Sequence, residues 1–217
     1  MSYALRHGLS FCRVDDHLIF LDTQNDRYFR LPLRLERRFA AYAAGNEDTD
    51  VGELVRRSIL VQAPDSQERI AVVKVECVSR SALEQACPAK LHLSALVEAF
   101  IATCSIRWQL KTRRLHEVID STATLRPNEH SSPATEQWLI EASTEFRLAR
   151  SYTPVETRCL LDSLAMVRFL ARRKLHASIV FGVTSDPFSA HCWVQAGDLV
   201  LNDTVGHAKA HTPIRVI

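Results

Sequence analysis

The 217-residue sequence contains no uninterrupted apolar run of the roughly 18 residues that a membrane-spanning helix needs, so no membrane partner is expected. It has no Gly-x4-Gly-Lys-Ser/Thr motif, and none of its six glycines is followed by lysine. This excludes a phosphate-binding loop of that type. Residues 1–16 mix Arg6, His7 and Arg13 with short apolar pieces, which is not typical of a signal peptide and favours a cytoplasmic protein.

The chain also lacks a strong net charge. Its 27 Lys and Arg residues are nearly balanced by 25 Asp and Glu residues, and the formal charge is +2. Nucleic-acid binding by bulk electrostatics is therefore not expected. Arg107, Lys111, Arg113 and Arg114 form one local basic cluster, for which a solvated helix face is the default interpretation.

Paired cysteines are missing as well, because the six cysteines show no Cys-x2-Cys spacing. The chain is long and apolar enough to form a core without disulfides, so the cysteines are predicted to be reduced thiols. His207 and His211, with Cys192 nearby in sequence, do not have the spacing of a zinc site, and residues 208–210 are typical of an ordinary tail. No metal and no other cofactor is predicted.

The sequence does have the composition of a globular protein, with 47% hydrophobic and 24% charged residues. Residues 1–78 are predicted to form a small domain, a meander of three strands followed by two helices. The strands are Ser10–Val14, His17–Asp22 and Arg27–Leu31, and the helices are 33–44 and 50–59. Gly45-Asn46 is typical of a helix end. One further strand is expected at 70–75.

Residues 79–217 are predicted to form a second domain, in which the helices come mostly before the sheet. After a polar crossing at 79–90, helices are expected at 91–109, 111–120 and 134–149. Segments 177–183 and 191–203 are rich in Val, Ile, Leu and Trp and are predicted to be strands. Because strands and helices do not alternate, the predicted fold class is α+β, with helices packed on an antiparallel sheet.

A helix that carries Cys159 is the first indication of chemistry. Thr153, Pro154 and Glu156 stand in the order of an N-cap, a first helical residue and a capping-box acid, so the helix is predicted to begin at about residue 154. Cys159 then begins a stripe at helical spacing, which predicts an inward-facing thiol near a helix N-terminus, where the thiolate is favoured. The stripe continues through Ser163, Met166 and Leu170.

Gly197-Asp198 marks a hairpin that could bring two more functional groups together. A three-residue loop, 196–198, would set His191 opposite Asp203 and put imidazole and carboxylate on one face. A two-residue loop would pair Cys192 with Asp203 and turn His191 to the other side. The first register is favoured, since Cys192 is better explained as a small buried hydrophobe. His191 and Asp203 are thus the predicted base and orienting acid, with a strand histidine and a turn acid as the alternative.

These motifs resemble the transglutaminase-like cysteine peptidases of lasso-peptide biosynthesis, the B proteins that act as leader peptidases. The similarity covers about residues 150–205 and is carried by three runs in order. They are Cys159-Leu160-Leu161-Asp162-Ser163-Leu164-Ala165, Ala190-His191-Cys192-Trp193-Val194 and Leu201-Asn202-Asp203. The resemblance implies a papain/transglutaminase-like fold with Cys159 as nucleophile, His191 as base and Asp203 as orienting acid.

The first domain resembles the RiPP recognition element, a small winged-helix-like module that binds the leader of a precursor peptide. The resemblance implies that the leader adds as a strand to an exposed sheet edge beside a helix. Six apolar residues are the predicted leader contacts, although simple burial in the core is the commoner explanation for any one of them. They are Tyr28, Phe29, Leu31, Leu54, Val55 and Ile59. A DNA-binding winged helix is not favoured, because the last helix offers only Arg56 and Arg57.

The predicted function is hydrolysis of the leader–core bond of a lasso precursor by a cysteine peptidase with a Cys-His-Asp triad. The resemblance implies two partners, which are the precursor peptide and an ATP-using, asparagine-synthetase-like lasso cyclase that closes the freed core. Two alternatives stay open. One is an inactive adaptor that only presents the precursor, and the other is an acyltransferase that passes the acyl group to an amine.

Overall fold

A computed structural model describes residues 2–46, 48–63, 70–85, 91–124 and 133–217 of the chain, without the side chains of 133–135. The chain forms two compact units, Met1–Lys74 and Val75–Ile217. The predicted boundary was residue 78. The observed division comes earlier because Val75 and Val78 pack with the core of the second unit.

The first unit contains a three-stranded antiparallel sheet in the order β2-β3-β4 and a separate two-stranded sheet, β1-β5. The strands are β1 (Tyr3–Leu5), β2 (Leu9–Val14), β3 (His17–Asp22), β4 (Arg27–Arg30) and β5 (Leu60–Gln62). Asp15 and Asp26 occupy the turns with φ of 52° and 48°, a conformation that aspartate tolerates better than most residues. The sequence predicts β2, β3 and β4 but not the β1–β5 pair, because three-residue strands carry too little periodicity.

Two helices follow the sheet, α1 (Leu33–Ala43) and α2 (Gly52–Arg56). Gly45 stands just beyond α1 with φ of 95°, as predicted for a helix end. The second helix is shorter than the predicted 50–59. Ser58 adopts a positive φ of 54° and directs the chain into β5.

An aromatic cluster forms the core of the first unit. The ring of Phe39, on α1, lies edge-on to Phe11 and Phe20 with centroid distances of 4.9 and 5.0 Å. Phe20 also stacks on Phe29 at 5.3 Å. Phe39 and Leu54 are completely buried, so both helices contribute to this core.

The second unit begins with a layer of helices. They are α3 (Leu93–Thr112), α4 (Leu115–Ala123), α5 (Pro133–Ser151) and α6 (Cys159–Arg172). The predicted helices 91–109, 111–120 and 134–149 are present as α3, α4 and α5, with ends shifted by one to four residues, whereas α6 begins later than predicted. The predicted strand at 70–75 is wrong, because residues 70–79 lie outside any strand. High β-propensity alone does not produce a strand without a sheet edge to pair with. None of the helices in the described ranges combines the length and apolar character needed to cross a bilayer.

A five-stranded sheet completes the second unit, in the order β10-β7-β8-β9-β6. Its elements are β6 (Arg80–Ser81), β7 (Ser178–Ser185), β8 (Phe188–Ala196), β9 (Leu199–Val200) and β10 (Thr212–Val216), with the short helix α7 (Val205–Lys209) between β9 and β10. All pairs are antiparallel except β6–β9. Residues 208–210 were predicted to be an ordinary tail. They instead form the end of α7 and lead into the edge strand β10. The fold is α+β, with helices against a mainly antiparallel sheet, as predicted.

Candidate active site

Cys159 is the first residue of α6, and Arg158 before it is an extended N-cap with φ of −145° and ψ of 132°. The predicted helix start at residue 154 is wrong, because residues 153–158 are not helical. Cys159 is therefore the first residue of the helix and is exposed there, but its thiol is hydrogen bonded to Cys192 and His191 of β8, on the side of the predicted stripe. The rest of the stripe, Ser163, Met166 and Leu170, is buried as predicted.

A buried arginine holds the non-helical segment that leads to the thiol. Arg150, in the last turn of α5, donates from Nε to Asp162 at 2.6 Å. It also donates to the backbone carbonyls of Thr153 at 3.3 Å and Glu156 at 3.1 Å. Asp162, in the first turn of α6, accepts the backbone N–H of Arg158 at 3.1 Å. Periodicity does not identify this network, because its members come from two helices and the loop between them.

His191 and Asp203 meet, although the favoured hairpin register is wrong. Gln195 pairs with Val200, which corresponds to the two-residue loop. The ladder ends at Val200, and the chain then bends, so Asp203 is not held in register. Its Oδ2 lies 2.7 Å from His191 Nε2. The two residues are brought together by the end of β9 and not by strand pairing.

The pKa values of the thiol and the imidazole are shifted in opposite directions. Hydrogen bonds from Cys192 and His191, opposed by burial, lower the pKa of Cys159 to about 4. Burial lowers the pKa of His191, but hydrogen bonds to Asp203 and Cys159 outweigh it and raise that pKa to about 9. Thiolate and imidazolium are therefore the favoured forms between these two values. Because Nε2 of His191 is engaged by Asp203, Nδ1 is the nitrogen left for the thiol.

The floor of the site is a buried polar network between α6 and β8. Cys192 is buried, as predicted. Its hydrogen bond to Cys159, together with burial, raises the pKa of its thiol well above the usual value. Ser163 Oγ donates to the Cys192 carbonyl at 3.4 Å and accepts from Asn202 Nδ2 at 2.9 Å. The Asn202 carbonyl oxygen accepts the backbone N–H of Val194 at 2.7 Å. Asn202 thus links the chain directly before Asp203 to both β8 and α6.

His207 is a residue of the site that the sequence reasoning missed. Its Nδ1 lies 2.9 and 3.1 Å from the two oxygens of Asp203, and its ring centroid is 4.4 Å from that of His191. Thr204 caps α7 by accepting the backbone N–H of His207 at 3.2 Å. The available signal was the spacing of His207 four residues after Asp203, behind a threonine N-cap.

Gly182 lies opposite His191 in the β7–β8 ladder. A Cβ at this position would lie 2.7 Å from Trp193 Cζ3 and 2.9 Å from His211 Cβ. Glycine is therefore required here by the close approach of the two side chains that flank the imidazole.

One group of side chains has the donor types of a metal site. Single ligand atoms of His191, Asp203 and His207 all lie within 4.8 Å of one another. Two imidazoles and a carboxylate suit a zinc-like divalent ion. In the described structure the same atoms form hydrogen bonds within the group. Cys192 and His211, which lie near His207 in the sequence, are not members of this group.

The six predicted leader contacts fall into two sets. Leu31, Leu54 and Ile59 are buried in the core of the first unit and offer almost no surface to a peptide. Tyr28, Phe29 and Val55 are partly exposed. Tyr28 and Phe29 are adjacent on β4 and therefore point to opposite faces of the sheet, so they cannot line the same groove. The edge strand β4 pairs only with β3 among the described strands.

Comparison with known proteins agrees with this architecture. Residues 100–216, more than half of the chain, match the family described as Transglutaminase-like superfamily. A 45-residue segment is 44% identical to the microcin J25-processing protein McjB of Escherichia coli. The match covers 21% of this chain and 22% of McjB, about a fifth of each. No solved structure matches the chain at a significant level. The chain therefore belongs to the transglutaminase-like superfamily.

Proposed function

We propose that the chain is a cysteine peptidase that cuts the leader from the core of a lasso-type precursor peptide. The observation that carries this proposal is the arrangement of an exposed, acidic thiol, an imidazole and a carboxylate at the start of α6. The transglutaminase-like superfamily membership and the partial match to a microcin-processing protein support it.

Acylation would use the thiolate and imidazolium forms directly. Cys159 Sγ attacks the carbonyl carbon of the scissile peptide bond, and the oxygen takes up the negative charge. When the C–N bond breaks, His191 gives its proton to the leaving amine, and Sγ stays bonded to the acyl carbon as a thioester. The backbone N–H of Cys159 at the start of α6 is one candidate donor to the oxyanion.

Deacylation would return the site to its starting state. His191, now neutral, takes a proton from water, and the resulting hydroxide attacks the thioester carbon. The C–S bond breaks, a carboxylic acid leaves, and the thiolate and imidazolium are restored. Asp203 accepts the Nε2–H of His191 throughout, which fixes the ring orientation and stabilises the imidazolium.

The first unit would supply recognition of the leader. β4 lies at one edge of its sheet among the described strands, and an extended peptide can add as a further strand at such an edge. Phe29 on the strand and Val55 on α2 are the partly exposed apolar contacts available for leader side chains. We propose the precursor as the ligand of this unit and a separate ATP-using cyclase as the enzyme that takes over the freed core.

The same thioester can be attacked by an amine, which would make the protein an acyltransferase. The superfamily name itself keeps this second function open. The two reactions differ only in the acceptor and give products of different mass.

The test is mass spectrometry of a lasso precursor encoded beside this chain, incubated with the wild-type protein or with Cys159→Ala. The proposal requires cleavage at a single leader–core bond by the wild type and none by the variant. An amine adduct in place of a free carboxylate would point to acyl transfer. No cleavage by either protein, even with cyclase and ATP added, would favour an adaptor role or a different acyl substrate.

A further inference from the structure

A cavity of about 310 Å³ opens beside the start of α6. One wall is the last turns of α3, with Arg107, Leu110 and Lys111. The other wall is the chain that leads into and begins α6. It contributes Val155, Glu156, Arg158 and Leu161. All of these residues belong to the second unit, and the cavity is distinct from the Cys159, His191 and Asp203 cluster.

The cavity carries an excess of positive charge. The carboxylate of Glu156 is paired with Arg158 at 2.8 Å. Neither Arg107 nor Lys111 forms an ion pair with any residue in the described part of the chain. These two cations are four residues apart on α3, where like charges repel at helical spacing. A bound anion would relieve that repulsion.

The cavity lies close to the thiol, so its positive charge can act on a bound peptide. Arg158 directly precedes Cys159, and Leu161 lies in the same first turn of α6. A helical turn advances only about 5.4 Å. A peptide whose carbonyl lies at Cys159 would therefore bring a side chain within a few residues of the scissile bond to the cavity. Leu110, Val155 and Leu161 supply apolar surface for the methylene part of such a side chain.

We propose that this cavity is a specificity subsite that receives an acidic side chain of the peptide substrate, close to the scissile bond. Arg107 and Lys111 contact its carboxylate. Arg107 and Lys111 belong to the basic cluster noted in the sequence, and this role would explain two of its four residues. The inference rests on the proposed peptidase function for the identity of the substrate, but the binding of an acidic peptide does not depend on catalysis.

The test uses the full chain with Cys159→Ala, so that no peptide is cleaved. Two labelled peptides span the leader–core junction of the precursor, one with Glu and one with Gln at the same positions. Fluorescence anisotropy at low salt measures both dissociation constants. The Glu peptide should bind roughly fivefold more tightly, as expected for one carboxylate that contacts two exposed cations at low salt. Arg107→Glu with Lys111→Glu should remove this preference and favour a matching Lys peptide.

Arg172→Glu is the control, because it reverses an exposed charge at the opposite end of α6. It should leave the preference for the Glu peptide unchanged. Equal binding of the Glu and Gln peptides, or a preference that survives the double reversal, overturns the inference. A Glu preference in a protein whose wild type cleaves no precursor would instead sink the proposed peptidase function and leave the acidic-peptide site standing.

Discussion

Cys12 in the first unit and Cys159 in the second are thiols of the same chain with opposite properties. Burial in β2 raises the pKa of Cys12 to about 12. At the start of α6, hydrogen bonds from Cys192 and His191 lower the pKa of Cys159 to about 4 despite partial burial. Burial without hydrogen-bond donors thus keeps the Cys12 thiol protonated, whereas donors and a nearby imidazolium favour the thiolate at Cys159.

The contrast extends to the interiors of the two units. The first is built around stacked and edge-on phenylalanines. The second places polar side chains such as Arg150, Ser163 and Gln195 inside, and each is hydrogen bonded. The first unit also buries Asp22 and Glu36, but these accept hydrogen bonds from Arg6 and from the Leu18 backbone, away from any reactive group. In the second unit, buried polar groups hold the segments beside Cys159 and His191.

Alkylation should separate the two thiols most strongly. At pH 6, iodoacetamide should modify Cys159 at least about a thousandfold faster than Cys12, because only Cys159 is then a thiolate. The rate at Cys159 should fall as the pH drops through about 4, where the thiolate takes up a proton. Peptide mapping by mass spectrometry identifies the labelled residue.

His191→Gln is the matched variant for this experiment. It removes the imidazolium, so the pKa of Cys159 should rise and the labelling at pH 6 should slow markedly. Labelling of Cys159 that is as slow as that of Cys12 in the wild type would refute the ion pair.

Phe39→Ala tests whether the aromatic core belongs to the first unit alone. Removing this fully buried ring should cost about 4 kcal/mol of unfolding free energy through lost contacts and a cavity. Denaturant titration measures the loss, and Cys12 should become accessible to alkylation at lower denaturant. Leu33→Ala, at an exposed position of the same helix, is the control. A changed labelling rate at Cys159 in native buffer would show that the core of the first unit also influences the active-site thiol.

Arg150→Met tests whether the buried polar network positions the thiol. The variant leaves the Asp162 carboxylate without its cationic partner and should cost about 3 kcal/mol of stability. It should also slow the alkylation of Cys159 under conditions where the protein is folded, since residues 153–158 lose their anchor. Arg172→Met removes an exposed arginine and should do neither. Stability loss with an unchanged labelling rate would assign Arg150 to folding alone.

His207→Ala should have the smallest effect. The residue is half exposed and adds a second donor to a carboxylate that already binds His191. A loss of about fivefold in kcat/KM, corresponding to about 1 kcal/mol, is expected for precursor cleavage. His207→Gln can still donate to Asp203 and should recover most of the rate. If Ala and Gln behave alike, the hydrogen bond to Asp203 is not what matters.

The sequence predicted the elements better than their ends. The three strands of the first sheet and the helices of the second unit follow from periodicity over many residues, which single substitutions do not obscure. The start of α6 was predicted too early because residues 153–156 have a good local capping pattern. In the structure, Arg150 instead binds the backbone carbonyls of Thr153 and Glu156, and this segment is not helical. The strand expected at 70–75 has the right residues but no sheet edge to join.

By itself the sequence determined the α+β class, the order of the elements and the residue types at Cys159, His191 and Asp203, since these depend on patterns along the chain. Only the tertiary structure decided that Asp203 reaches His191 from the end of β9, that His207 joins them, and that Arg150 holds the approach to the thiol. Each of these contacts involves a residue in a loop or at the end of a helix or strand. Their geometry depends on hydrogen bonds between distant segments, which no local pattern records.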